Sequence, residues 1–193
     1  MGESPELARL ATRTGDLAPL AEAAMRYIRF GAAIDGSAVV IAPMPWKAPR
    51  AKAFCLYEPL APEFAQTVDC PRFYKDILLQ MNGCFAFGLA LYGVPTTTGL
   101  IERSTLRPRS LEHANLNWIN EFKGASGAFH FGGSPYSYSE NLGYFFADAH
   151  FSARRKEDGE VKCWPTFAEF LKDELGRLET LARSSPEAAT AWR

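Results

Sequence analysis

The sequence lacks the short motifs that most quickly assign a chemistry. It has no CxxC pair, and its four cysteines, Cys55, Cys70, Cys84 and Cys163, are spread out. That spacing reads as free, mostly buried thiols in a reducing compartment. Histidine is scarce: His113, His130 and His150 form no HExxH motif and no Cys/His cluster. A zinc site would have to be assembled entirely by the fold, so we expect no metal and no cofactor. Neither GxGxxG nor GxxxxGK followed by Ser or Thr occurs, which removes the usual phosphate cradles. Gly124-Ala125-Ser126-Gly127 and Gly132-Gly133-Ser134-Pro135 both miss the GxSxG spacing of a nucleophile elbow. His130-Phe131-Gly132-Gly133 has the composition of an oxyanion loop but no elbow to serve.

Charge of one sign is missing too. The 21 basic and 22 acidic residues leave a formal net charge of −1. This is no footprint for nucleic acid, and no basic helix points to a membrane surface. No apolar run approaches the ~18 residues of a membrane span. The longest candidate, Phe85 to Val94, has strand length. The opening MGESPELARL is polar, without the basic and apolar regions of a secretory leader. Glu6 stands where a myristoylation signal wants Ser or Thr. The compartment expected is the cytoplasm of a bacterium.

What is present is core-forming material. At 193 residues and 47% hydrophobic, the chain is long and apolar enough for one packed domain. We read residues 1–183 as that domain and 184–193 as a tail. Ser4 with Pro5 starts a short helix, and Asp16 caps a second one. Leu17, Leu20, Ala21, Ala24, Tyr27 and Ile28 give the second helix one apolar face, and Gly31 stops it. Ser37–Ala42 and Ala53–Tyr57 read as strands, with prolines 59 and 62 breaking regular structure afterwards. A helix fits Ser110–Phe122. Short strands follow at Ala128–Phe131, Gly143–Asp148, Phe151–Arg155 and Val161–Trp164, with Glu157-Asp158-Gly159 as a turn. Thr166-Phe167-Ala168-Glu169 is a capping box for a last helix, whose face holds Phe167, Phe170, Leu171, Leu175, Leu178 and Leu181. Helices at both ends of a run of strands predict an α+β fold, with a twisted, mostly antiparallel sheet flanked by helices.

The most informative stretch is Pro71 to Gly93. Tyr74, Ile77, Leu78 and Met81 lie on one helical face, and Asn82-Gly83 stops the helix. Phe85, Phe87, Leu89 and Leu91 then alternate with Ala86, Gly88, Ala90 and Tyr92, which reads as one strand. Small residues on its second face imply close approach of another element. This stretch, with Phe129-His130-Phe131-Gly132-Gly133, Glu140-Asn141-Leu142-Gly143-Tyr144-Phe145-Phe146 and Phe167-Ala168-Glu169-Phe170-Leu171, resembles the SMI1/KNR4 family of the SUKH superfamily. The resemblance covers about residues 65 to 182 and rests on the joint order of short hydrophobic motifs. It implies a binding module with no catalytic residues to carry over. Many bacterial members are immunity proteins that bind and neutralise polymorphic or contact-dependent toxins, and fungal relatives act as regulatory hubs.

The partner expected is therefore a protein, a toxin domain encoded nearby, with no nucleic acid and no membrane. The oligomeric state stays open. For the binding surface, the Gly132–Asn141 connection supplies Tyr136, Tyr138 and Glu140, because tyrosines give rigid amphipathic contact area and serines adaptable hydrogen bonds. Trp118 is a further candidate, although its place on a helical apolar face suits the core better. Two alternatives remain: a regulatory or scaffolding protein of the same fold without a toxin, and a small enzyme using scattered residues such as His130, Cys70 and Asp148. In the bland reading His130 is a hydrogen-bonded structural histidine, and Arg154-Arg155-Lys156 is a solvated face offset by Glu157, Asp158 and Glu160.

Overall fold

A computed structural model describes residues 15–35, 38–44, 52–95, 108–134 and 142–184. Nine strands form one sheet: β1 (Ala32–Asp35), β2 (Ala38–Pro43), β3 (Lys52–Tyr57), β4 (Cys84–Ala86), β5 (Leu89–Leu91), β6 (Phe129–Ser134), β7 (Leu142–Ala147), β8 (His150–Arg155) and β9 (Gly159–Trp164). They follow chain order across the sheet, each antiparallel to the next. Among the described residues five α-helices accompany them: α1 (Ala18–Ile28), α2 (Pro62–Thr67), α3 (Arg72–Leu78), α4 (Leu111–Leu116) and α5 (Phe167–Ser184). The fold is α+β, as the order of helical and alternating patterns predicts.

The sheet's two faces carry different cores because successive strand residues point to opposite sides. Phe54, Leu56, Tyr144 and Phe151 lie in the main core with α1, α3 and α5. Their neighbours Cys55 and Tyr57 pack with Phe85 in a second cluster, and Phe145 packs with Ala125 and Ala128 in a third. The apolar faces of α1, α3 and α5 are those the periodicity predicts: Leu20, Tyr27, Tyr74, Leu78, Phe170 and Leu175, among others, are buried. Helix α1 packs on α5 and β2. The Tyr27 hydroxyl donates to Glu179 Oε1 at 2.6 Å, and Arg26 and Arg183 donate to the same carboxylate at 3.0 and 2.8 Å. Partial burial works against the charged Glu179, but these donors outweigh it and hold its pKa below the ordinary value. Glu174, buried on α5, accepts from the Tyr144 hydroxyl at 2.6 Å and from Arg177 at 2.7 Å.

Several local expectations are corrected. The stretch read as one strand from Phe85 to Tyr92 is a hairpin, β4–β5, whose turn is Phe87-Gly88, with φ of +50° and +100°. Pro62 opens α2 rather than breaking structure, because proline at the start of a helix forfeits no hydrogen bond. Asp16 makes no cap; a 3-10 turn over Gly15–Leu17 leads into α1. The helix expected over Ser110–Phe122 stops at Leu116, and a 3-10 segment covers Trp118–Glu121. Strand β1 was not expected. None of the four cysteines is in a disulfide, and only Cys55 and Cys84 are buried, while Cys70 is half-buried and Cys163 exposed. The helix expected after Ser4 and the tail beyond Ser184 lie outside the described residues.

Candidate functional site

A hollow of about 150 Å³ opens on the second face of the sheet, with His130 in its lining. The sheet makes room for it through glycine. In register across this face stand Phe85, Ala90, Gly133, Gly143 and Arg154. A Cβ at Gly133 would overlap the Tyr92 hydroxyl, and one at Gly143 would come within 2.7 Å of the Phe122 and Phe145 rings. Glycine inside a strand weakens it and recurs where something must approach closely. Here aromatic side chains from neighbouring elements lean over the missing Cβ atoms.

His130 is held by backbone and by rings. Its N–H donates to Asn115 Oδ1 at 2.9 Å, and its carbonyl accepts from Asn115 Nδ2 at 2.9 Å, so the amide of α4 acts as a strand edge. The β6–β7 register slips between His130 and Gly132, a bulge of the kind that re-aims side chains. The imidazole stacks on Phe145, centroids 4.3 Å apart and planes 20° off, and meets Tyr92 and Phe122 edge-on at 5.2 and 5.3 Å. Only 1% of the residue is exposed. Neither ring nitrogen has a hydrogen-bond partner among the described residues. The residue is the buried, packed structural histidine expected, with the Ala114 and Gly132 backbone close to its ring, but neither nitrogen makes a well-formed hydrogen bond to a described residue. Burial lowers the ring's pKa from 6.5 to about 4, with the nearby Ala114 and Gly132 backbone and the Glu121 charge pulling the other way.

The walls and rim come from other elements. Trp118, in the 3-10 segment, is half-buried and edge-on to Tyr92 at 5.7 Å and to His113 at 4.9 Å. It both packs against the main core and lines the hollow. Arg109, Glu121 and Lys156 add charge, with Lys156 paired to Glu121. In the basic triplet Arg155 and Lys156 are exposed, and Asp158 and Glu160 offset it as expected, Glu160 lying 3.7 Å from Arg154, but Arg154 is half-buried. Arg154 donates to the Gly124 carbonyl and lies over the Phe145 ring, Arg155 pairs with Asp158 at 3.4 Å, and Lys156 reaches away to Glu121.

Gly133 and Leu142, also in the lining, flank the Ser/Tyr-rich connection. Tyr136, Tyr138 and Glu140 themselves lie outside the described residues. Of the scattered residues weighed for an enzyme, only His130 is here. Cys70 is half-buried before α3, where burial first and Asp69 second push its thiol up to about 11 against the pull of Lys75. Asp148 is exposed in the β7–β8 turn. A wider groove along β9 and α5 is different in kind, because its Asp173 already accepts from Trp164 Nε1 at 3.0 Å and from Lys162.

Tyr92, Arg109, Asn115, Glu121 and Phe122 escape sequence reasoning as site residues. The available signal is glycine within strands: Gly143 reads at the start of one, but the sequence assigns Gly133 to the Gly132–Asn141 connection. Among the described residues, no group of three or more His, Cys, Asp or Glu side chains could hold a metal ion, and no helix is long and apolar enough to cross a membrane. Comparison with known protein families, curated proteins and solved structures finds no match.

Proposed function

We propose that this chain is a non-catalytic protein-binding module of the immunity type, which docks a toxin domain encoded nearby through the rim of the His130 hollow. The observation that carries the reading is the make-up of that rim. Half-buried Trp118 and Arg109 line one depression together with the buried Tyr92 ring, and Trp and Arg are among the residues that dominate the energetic centres of protein interfaces. The resemblance to SMI1/KNR4 proteins supplies the class of partner. Spread-out cysteines without a disulfide suit a reducing compartment, so the cytoplasm is where this reading puts the encounter.

The test is co-expression with the toxin-like product of an adjacent gene, read as growth and as co-purification. Rescue with a stable complex supports the proposal. Trp118→Ala then weakens the complex by about 2 kcal/mol or more, and Tyr136→Ala with Tyr138→Ala weakens it further. A toxin that kills equally with and without the chain, and forms no complex with it, sinks the immunity reading.

A further inference from the structure

We propose that His130 is an acid-sensitive latch: charging its imidazole releases residues 119–128 from the second face of the sheet while the main core stays closed. Those residues form a layer of their own. Ile119, Phe122, Ala125 and Ala128 pack with Phe145 in the third cluster, apart from the main core. The Phe122 ring fills the space a Cβ at Gly143 would need and meets Phe145 at 5.1 Å. Beside it, Lys156 pairs with Glu121, and its carbonyl accepts from the Lys123 N–H at 3.0 Å, while Arg154 donates to the Gly124 carbonyl. His130 sits within this contact, stacked on Phe145 and edge-on to Phe122, so its ring is part of the surface on which the layer closes.

The neutral ring suits that surface and the charged ring does not. Taking a cation out of water costs far more than taking out a neutral ring, unless the cation is paired. Among the described residues, the charged and titratable groups around His130 are Tyr92 beyond β5, Arg109, His113 against Trp118, Glu121 in the 3-10 segment, and Arg154 and Lys156 at the end of β8. Glu121 is the carboxylate of that set, and Lys156 already holds it. Its charge and the Ala114 and Gly132 backbone favour the protonated ring, but burial outweighs them. Arg154 lies over the Phe145 ring, so a second cation against that ring meets repulsion. Opening residues 119–128 brings the imidazole to water and lifts this penalty. Helix α5 packs in the main core on the other face of the sheet, so the acid step leaves it in place. With the ring at about 4 when closed and 6.5 when released, the opening constant rises as pH falls between those values, by up to roughly 300-fold. The latch needs no partner chain, so it stands apart from the docking proposal.

The experiment follows amide hydrogen exchange by NMR in the full chain from pH 7 to 4, each rate being divided by that of an unstructured amide at the same pH. The Lys123 and Ala125 amides, bonded to the Lys156 and Phe122 carbonyls, report on the layer, and the Leu175 and Leu178 amides report on α5. The expected result is a loss of protection at Lys123 and Ala125 that approaches roughly 300-fold by pH 4, against less than about tenfold in α5. His130→Phe and His130→Gln, two neutral replacements of different shape, should each abolish that difference, and Glu121→Gln should keep it. An equal loss in α5 overturns the proposal, since the ring would then act on the whole fold. A loss that survives both His130 variants, or one that Glu121→Gln removes, overturns it too, because the ion pair with Lys156 would then be the acid-sensitive part. No loss at Lys123 and Ala125 overturns it as well. Since the measurement uses the chain alone, failure of the toxin test leaves its outcome intact.

Discussion

The side chain of Asn82 closes on the backbone of Val94 with two hydrogen bonds, accepting from its N–H at 2.7 Å and donating to its carbonyl at 2.8 Å. Gly93 makes this possible, since a Cβ there would lie 2.6 Å from Asn82 Oδ1. The clasp ties the segment that follows α3 to the segment that follows β5. It explains why Asn82-Gly83 and Tyr92-Gly93 occur as a pair: each glycine stands where backbone passes close to backbone. Asn82→Ala removes both bonds from a buried position and should cost about 2–3 kcal/mol. Asn82→Asp keeps an acceptor for the N–H but sets an oxygen against the Val94 carbonyl, so it should recover little. Urea melts of the two variants check this; an aspartate variant as stable as the wild type would remove the donating half of the clasp from the account.

Phe87 is a second place where packing overrules local preference. A two-residue hairpin turn with positive φ at both positions favours Asn-Gly, and Phe in the left-handed region is strained. The ring is buried against Tyr27 at 5.1 Å and Phe54 at 4.9 Å, which ties the β4–β5 turn to α1 and β3. Phe87→Asn relaxes the turn by about 1 kcal/mol but empties a core position worth about 3–5 kcal/mol. The variant should therefore be destabilised by a few kcal/mol. A gain in stability would mean that turn chemistry outweighs the aromatic cluster.

These two sites show what could be read from the chain and what could not. The faces of α1, α3 and α5 were legible because their apolar periodicity is long and uninterrupted. The final helix start was legible because Thr166 caps it, accepting from the Glu169 N–H at 3.2 Å. The Phe87-Gly88 turn was not, because its stability comes from Tyr27 and Phe54, far off in sequence. The site was legible only in pieces. Trp118 and His130 were singled out separately, but their meeting through Tyr92 depends on a sheet register and a bulge that no local pattern encodes.

The cysteines should label in order of access. Cys163 is exposed on β9, the last strand of the sheet, whereas Cys55 and Cys84 are buried. Cys70 is half-buried, and its thiol is pushed up to about 11, so little thiolate exists near neutrality. At pH 8 an aromatic disulfide reagent should modify one cysteine quickly in the native chain, and Cys163→Ser should abolish that phase. Cys70 should react appreciably only as the pH approaches 11. A fast phase that survives Cys163→Ser would show that Cys70 is more open or more acidic than its surroundings imply.

His130 should make stability depend on pH in one direction. Its folded pKa is lowered to about 4 from 6.5, so between those values the unfolded chain binds a proton that the native chain does not. Stability then rises with pH across that window and is complete above it. Falling from 6.5 to 4 should cost up to roughly 3 kcal/mol from this residue alone. Glu179 and Asp173, both held below ordinary carboxylate values, add a separate loss at lower pH. They are present in any His130 variant and cancel in a comparison. His130→Phe keeps a ring against Phe145 and removes the titrating group. Denaturant melts at intervals from pH 4 to 7 should give the wild type a steeper slope by up to about 1.4 kcal/mol per pH unit, with the two lines parallel above 6.5. Parallel lines throughout would mean that the ring is protonated as easily in the native chain as in the unfolded one, and that the hollow is wetter than its aromatic walls imply.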